Sequence, residues 1–75
     1  MSFTVTTYTC EENKYCTDYN GPPIRGAEDK VVKLCEKDPW CVGYYYAANS
    51  NVGRICYNLW TGLYSGSKMC TKGTK

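Results

Sequence analysis

Six cysteines in a chain of 75 residues constrain this fold more than any other feature of the sequence. A chain of this length buries only a small apolar core, which barely offsets the roughly 1.5 kcal/mol per residue that ordering the chain costs. Small domains of this kind are commonly stabilised by disulfides, which persist in oxidising compartments. The even number of cysteines therefore predicts a single disulfide-stabilised domain over residues 1–75, secreted and extracellular.

The residues that the chain lacks argue against an enzyme. Without histidine there is no His-based catalytic triad, no imidazole acid or base, and no imidazole ligand for a catalytic zinc ion. The cysteines are not arranged in the paired C-x2-C spacing of four-cysteine zinc sites. The acidic residues do not stand in apolar surroundings that raise a carboxyl pKa for acid catalysis. We therefore predict a non-enzymatic protein with no catalytic residues, no metal and no cofactor.

The charge distribution also excludes two classes of partner. Nine basic and seven acidic residues give a net charge of +2, and the basic residues are dispersed apart from a loose group at Lys68, Lys72 and Lys75. Such dispersion argues against nucleic acid. No apolar run approaches the roughly 20 residues that a membrane-spanning helix needs, so we expect no membrane insertion. Met1 is not followed by the apolar run of a signal peptide, so secretion implies that a leader was removed.

The clearest local pattern predicts a helix over residues 27–37. Apolar residues recur there at positions i, i+4, i+7 and i+8 from Ala27 to Cys35, acidic residues occupy the first turn, and lysines follow towards the end. Asp38-Pro39 ends the helix, because a residue before proline avoids the helical region.

Alternating patterns predict strands on both sides of this helix. They cover residues 2–9, 40–47 and 54–60, with a short last strand at 68–71. Residues 10–19 have no clean period and are predicted as loop with a short extended piece. Turns are expected at 20–23, 48–53, 61–62 and 65–67. The predicted fold is α+β, with one helix packed on a small antiparallel β-sheet.

Eight tyrosines and two tryptophans are too many for so small a core to bury fully. The hairpin face predicted to lie under the helix carries Val42, Tyr44, Tyr46, Ile55, Tyr57 and Leu59. The opposite face carries Tyr45 and Trp60, which can stack on a sugar ring or receive an apolar anchor, and Arg54 can pair with a carboxylate at the edge. We predict a ligand-binding site at Tyr45, Trp60 and Arg54.

The six cysteines allow fifteen pairings, and the sequence alone does not select one of them. Cys35, in the last helical turn, and Cys41, beyond the proline reversal, are expected within disulfide reach. A bridge between Cys10 and Cys70 would hold down the two ends of the chain.

A run of motifs follows in order over residues 27–60: the helix closing with LCEKDPWC, the aromatic strand VGYYY, and RICY. In this order they resemble the PAN/apple module of extracellular proteins. The resemblance implies a helix cradled by an antiparallel sheet. It also implies nested disulfides pairing Cys10 with Cys70, Cys16 with Cys56 and Cys35 with Cys41.

The resemblance further implies a role in recognition or cell adhesion through protein–protein or protein–carbohydrate contacts. We therefore predict a secreted binding module whose partner is an extracellular protein or glycan. An alternative is a self-associating matrix, adhesive or filament subunit, favoured by the small net charge and by Thr- and Tyr-rich strands with edges to share. A third is a toxin-like or protease-inhibitor peptide that presents Arg25 as its key basic residue.

Overall fold

One helix and five strands form the part of the chain that the computed structural model describes, residues 6–17 and 22–74. The elements are β1 (Thr6–Cys16), β2 (Ile24–Arg25), α1 (Glu28–Lys37), β3 (Gly43–Ala47), β4 (Val52–Cys56) and β5 (Thr61–Thr74). The strands make one antiparallel sheet in the order β1-β5-β3-β4-β2, and α1 packs on one of its faces. The predicted α+β class, one helix on an antiparallel sheet, is confirmed.

The predicted helix is confirmed, and it begins one residue later than expected, at Glu28. Ala27 precedes it in an extended conformation without a side-chain cap, so the two acidic residues of the first turn are what complements the helix dipole there. At the other end the backbone N–H of Asp38 donates to the Cys35 carbonyl. Val31 and Cys35 are fully buried, so the apolar face of the helix packs against the sheet.

The main core lies between α1 and the sheet. Tyr44 and Tyr46 are buried there with Val31 and Cys70, as predicted for the two tyrosines. Tyr8, Ile24, Val32 and Ile55 pack at its margin. Gly53 allows the helix to approach β4 closely, because a Cβ atom at this position would lie 2.9 Å from Cγ2 of Val31 and 2.6 Å from the Tyr45 carbonyl oxygen.

The prediction of a loop over residues 10–19 is wrong as far as Cys16. β1 continues through this polar stretch because each residue except Asn13 has a partner on β5, as in the pairs Cys10 with Cys70 and Glu11 with Met69. A strand paired at the sheet edge needs no apolar alternation in its own sequence when its outward side chains face water. Residues 2–5 of the predicted first strand, and residues 18–21 of the predicted loop and turn, lie outside the described residues.

The predicted turns at 61–62 and 65–67 are also wrong, since both lie inside β5. Their small residues form a bend in the β1–β5 ribbon. Glu12 pairs with Lys68 and Lys14 with Leu63, so that Asn13 alone stands opposite residues 64–67. Asn13 and Gly66 both adopt positive φ, 60° and 89°, and the Asn13 side chain accepts a hydrogen bond from the Gly66 N–H at 3.2 Å.

Beyond this bend the ribbon turns back over the sheet face opposite the helix. We call this part, residues 13–17 and 61–66, the distal ribbon. Although β1 and β3 are not neighbours in the sheet, the ring of Tyr15 packs on that of Tyr45, with centroids 5.7 Å apart. A second small core forms between the two layers, where Tyr45 packs against buried Cys16, Cys56 and Met69.

β4 ends at Cys56 and not at Trp60 as predicted, so residues 57–60 connect β4 to β5. The Cys56 carbonyl accepts a hydrogen bond from the Val42 N–H, and the Trp60 carbonyl accepts one from the Thr17 N–H of the distal ribbon. Leu59, predicted to lie in the core, is 52% exposed. The connection therefore follows the distal ribbon instead of extending the hairpin.

Three disulfides join all six cysteines: Cys10 to Cys70, Cys16 to Cys56 and Cys35 to Cys41, with Cα atoms 4.0, 6.2 and 5.3 Å apart. These are the nested pairs that the family resemblance implies. The first links directly paired residues of β1 and β5, the second ties the distal ribbon to β4, and the third fixes the end of α1 to the loop before β3. Three disulfides in a domain of this size suggest an extracellular protein.

Candidate functional site

The structure brings together two of the three residues predicted to bind a ligand. Tyr45 and Arg54 are directly opposite one another on β3 and β4, and both are half-buried. Trp60 lies in the β4–β5 connection and is 69% exposed. Tyr45 does not lie on an open platform, because Tyr15 of the distal ribbon packs on its ring at an interplanar angle of 73°.

Tyr15 links three aromatic rings on this side of the molecule. It meets Tyr45 on one side and Tyr64 on the other, with centroids 6.0 Å apart in the second pair. Gly62, paired with Tyr15, makes room for its ring, since a Cβ atom there would lie 2.5 Å from Cε1 of Tyr15. Sequence reasoning missed Tyr15 because it stands in a polar stretch without a period.

Arg25, the predicted key residue of an inhibitor, lies in β2 opposite Val52 and is exposed. Its carbonyl accepts a hydrogen bond from the Lys30 side chain at 3.3 Å. The paired strand and this link to α1 hold Arg25 against the sheet, whereas inhibitor loops project their key residue away from the fold.

A concave surface lies on the helix side, between the end of α1 and the β2–β4 edge of the sheet. Its volume is about 580 Å³. Its apolar lining consists of Pro22, Pro23, Ile24, Leu34, Pro39 and Ile55, and its polar lining of Lys37, Asp38 and Tyr57. We call this surface the groove. Its volume falls in the range of about 300–1,000 Å³ that is usual for ligand sites.

Covalent and hydrogen bonds hold the helix wall of the groove in place. The disulfide between Cys35 and Cys41 fixes the last turn of α1. The Asp38 carboxylate accepts hydrogen bonds from the Tyr57 hydroxyl and, at 2.9 Å, from the backbone N–H of Trp40. The end of the helix is thereby joined to the end of β4.

The opposite wall is held by the short strand β2. Ile24 pairs with Gly53, and the Gly26 N–H donates to the Asn51 carbonyl at 2.9 Å. The buried Tyr46 donates its hydroxyl to the Gly26 carbonyl at 2.7 Å. Both walls are therefore attached to the sheet, and the groove exists before any ligand binds.

One carboxylate and one ammonium group give the groove its electrostatic character. The hydrogen bond from Tyr57, together with the one from the Trp40 N–H, lowers the pKa of Asp38, which is therefore ionised at neutral pH. Each of its two carboxylate oxygens already accepts one hydrogen bond from these donors. Lys37 is exposed at the rim. The groove can thus take an apolar side chain and pair an anionic group with Lys37.

A second polar cluster, at the start of α1, is structural. Glu28 accepts hydrogen bonds from the Tyr44 hydroxyl at 2.6 Å and from Lys68 at 2.8 Å, which joins the helix to β3 and β5. Burial alone would raise the pKa of Glu28, but the hydrogen bonds from Lys68 and Tyr44 outweigh it and lower the pKa below its ordinary value. Burial, reinforced by the charge of Glu28, raises the pKa of Tyr44.

The described residues contain neither a metal-ligand cluster nor a membrane-spanning helix. Among them, no three histidine, cysteine, aspartate or glutamate side chains come together as metal ligands would. The one helix in residues 6–17 and 22–74 is too short and too polar to cross a membrane.

No protein-family model, curated protein or solved structure matches this chain. The fold, the disulfides and the groove are therefore the observations that bear on function.

The sequence did not reveal the groove, because three separate segments form it. In the sequence, Pro22, Pro23 and Pro39 predict only turns. Leu34 fits the apolar period of the helix and is therefore predicted to lie in the core. Tyr57 was expected in the core beside Leu59. A groove built from such pieces appears only once α1 is packed beside β2 and β4.

Proposed function

We propose that this protein is a secreted, non-enzymatic binding module that recognises an extracellular protein through the groove. The observation that carries the proposal is a preformed concave surface of about 580 Å³ with a largely apolar lining. Preformed sites of this type avoid the ordering cost that a flexible surface incurs on binding. Secretion agrees with the three disulfides, which cytosolic conditions would keep reduced.

The proposal includes membership of the PAN/apple-like class. It is supported by the order of motifs over residues 27–60, by the helix on an antiparallel sheet, and by the nested order of the three disulfides. Modules of that class act by contact and not by catalysis, in agreement with the lack of histidine.

The chemistry of the groove favours a protein segment over a carbohydrate. Sugar binding needs several free hydrogen-bonding groups beside an aromatic ring, whereas the ring in the groove, Tyr57, already donates its hydroxyl to Asp38. Proline, leucine and isoleucine suit an apolar side chain of a partner, and an acidic neighbour on that partner would pair with Lys37. A glycan on Tyr45 is the weaker candidate, because the Tyr15 ring packs on it.

The test is peptide selection on the disulfide-intact protein, followed by affinity measurement on two variants. Leu34→Glu places a charge in the groove, and Leu63→Glu, its control, places the same charge on the distal ribbon. Both side chains are exposed, at 41% and 83%, so neither substitution disturbs the core. We expect selected peptides to combine apolar and acidic residues.

We further expect Leu34→Glu to weaken binding about tenfold or more, corresponding to ~1.4 kcal/mol. Leu63→Glu should bind like the wild type. Equal affinity for Leu34→Glu and wild type, or selection of peptides that only Leu63→Glu loses, would place the site elsewhere and overturn the proposal.

A further inference from the structure

The segment from residue 55 to residue 67 carries no charged side chain, and Arg54 and Lys68 flank it. Within the described residues, this segment supplies four of the six exposed large hydrophobic side chains: Leu59, Trp60, Leu63 and Tyr64. Their exposed fractions are 52%, 69%, 83% and 54%. None of the four lines the groove.

The exposed surface of these side chains is large for a domain of this size. Taking about 200 Å² for a whole side chain of this kind, the four expose on the order of 500 Å². The value approaches the roughly 800 Å² per partner of a standard protein interface. Leu63 and Tyr64 lie on opposite faces of β5, so a partner that covers this surface must reach both faces of the strand.

The backbone of the same segment presents an open strand edge. On one side, residues 61–63 and 68–74 of β5 pair with β1, but on the other side β3 reaches only residues 67–71 of β5. Among the described residues, no strand pairs with that second edge of residues 61–66. Natural edge strands are commonly protected by charge. The outer edge strand β1 has Glu11, Glu12 and Lys14, whereas residues 61–66 have no charge at all.

We propose that residues 59–66 form a self-association surface, on which two copies of this chain pair along the open edge of β5 and extend the sheet. The uncharged surface favours a second copy. Two identical charged patches would repel each other, but here each copy meets a segment without charge, and no ion has to lose its water.

The arrangement of the side chains also favours strand pairing. Leu63 and Tyr64 alternate onto opposite faces of β5, since Tyr64 contacts Tyr15 while Leu63 is almost fully exposed. A flat partner or a lipid surface would cover only one face of β5. A strand added along the edge places a neighbouring side chain beside both Leu63 and Tyr64. Two antiparallel copies related by a twofold axis make a closed dimer. This surface is separate from the groove and does not depend on the function proposed for it.

The test is sedimentation velocity of the disulfide-intact chain over a wide concentration range, combined with amide hydrogen exchange. We expect a reversible monomer–dimer equilibrium and concentration-dependent protection of the amides of residues 61–64. Leu63→Lys should raise the dimer dissociation constant by about tenfold or more, because it buries a charge without a partner. The control Trp40→Lys changes an equally exposed hydrophobic residue in the loop before β3 and should leave the constant unchanged.

Three outcomes would overturn the proposal. They are a monomer at every concentration, an equal loss of association in Leu63→Lys and Trp40→Lys, and protection that appears along the outer edge of β1 instead of at residues 61–64. If the monomer binds vesicles of anionic lipid and Leu63→Lys abolishes this binding, then the surface binds a membrane and not a second copy of the chain. Mass mapping of the disulfides in each variant confirms that all are folded alike.

Discussion

Two tyrosines on the core face of the sheet differ in what their hydroxyl groups contact. The rings of Tyr8 and Tyr44 meet edge to face with centroids 5.2 Å apart. Tyr44 donates to Glu28, whereas the Tyr8 hydroxyl is buried and has no hydrogen-bond partner among residues 6–17 and 22–74. Burial, with a smaller effect of the nearby negative charge of Glu36, raises the pKa of Tyr8.

The two tyrosine-to-phenylalanine variants should therefore differ in stability. We expect Tyr44→Phe to lower the free energy of unfolding by about 2 kcal/mol, since it removes a hydrogen bond to a charged group. Tyr8→Phe should leave it unchanged or raise it by up to about 1 kcal/mol, because it removes a buried polar group without a partner. Denaturant unfolding with the disulfides intact measures both. A Tyr8→Phe variant as destabilised as Tyr44→Phe would mean that the Tyr8 hydroxyl is hydrogen-bonded.

At the scale of the elements, the distal ribbon depends on the disulfide between Cys16 and Cys56. The double variant Cys16→Ala/Cys56→Ala releases a closed loop with a sequence separation of 40, which should cost about 4 kcal/mol in the chain-entropy estimate. We expect residues 14–16 and 61–66 to lose amide protection first, while β3 and β4 keep theirs. Hydrogen exchange followed residue by residue tests this.

The matched comparison is Cys35→Ala/Cys41→Ala, whose short loop should cost about 2 kcal/mol. Its loss of protection should lie at the end of α1 and the adjoining groove wall. If the distal ribbon stays as protected without its disulfide as with it, then the bend at Asn13 and Gly66 is sufficient to hold it.

These elements also show what could be predicted from the sequence. Helix α1 was predictable because its period, its acidic first turn and its stop at Asp38-Pro39 all lie within a dozen residues of chain. β1 and β5 were predicted only in part, at residues 6–9 and 68–71. Their remaining length was not predictable, because strand pairs such as Glu11 with Met69 join residues far apart in the chain, and the local sequence gives no sign of such a pairing. The glycines and serines of β5 carry a turn signal, and the structure uses them for a bend inside a strand.

In the candidate site too, features set by local sequence were predictable and features set by long-range packing were not. The alternation in β3 correctly predicted that Tyr45 lies on one face of the sheet and that Tyr44 and Tyr46 lie on the other. Its covering by Tyr15 depends on the bend in the ribbon and could not be inferred. The groove depends on three segments that meet only after packing, and its proline residues give the same signal as ordinary turns.

At the scale of the whole molecule, acid should destabilise the fold through two carboxylates. The pKa values of Glu28 and Asp38 lie below their ordinary values of 4.5 and 3.8 in the folded protein. Groups with lowered pKa contribute stability above their unfolded pKa and lose it as the pH falls through the folded one. We therefore expect a constant free energy of unfolding near neutral pH and a decline that begins as the pH falls below about 4.5.

Glu28→Gln separates the contributions of the two carboxylates to this decline. The variant should be less stable than the wild type at neutral pH, because Lys68 loses its charged partner. Its stability should fall less steeply in acid, since of the two carboxylates only Asp38 then remains to be protonated. Unfolding curves at a series of pH values give both quantities. An acid slope identical to that of the wild type would show that Glu28 does not contribute.

The pairing of the first strand with the last has a consequence for biosynthesis. While the chain is still emerging from the ribosome, β1 has no strand to join, and Cys10 and Cys16 await thiols that are translated much later. The hairpin of β3 and β4, with α1 and its own short disulfide, can form before them. The sheet can close only after residues 61–74 have been translated, so the disulfide between Cys35 and Cys41 can form before the two that join β1 to later strands.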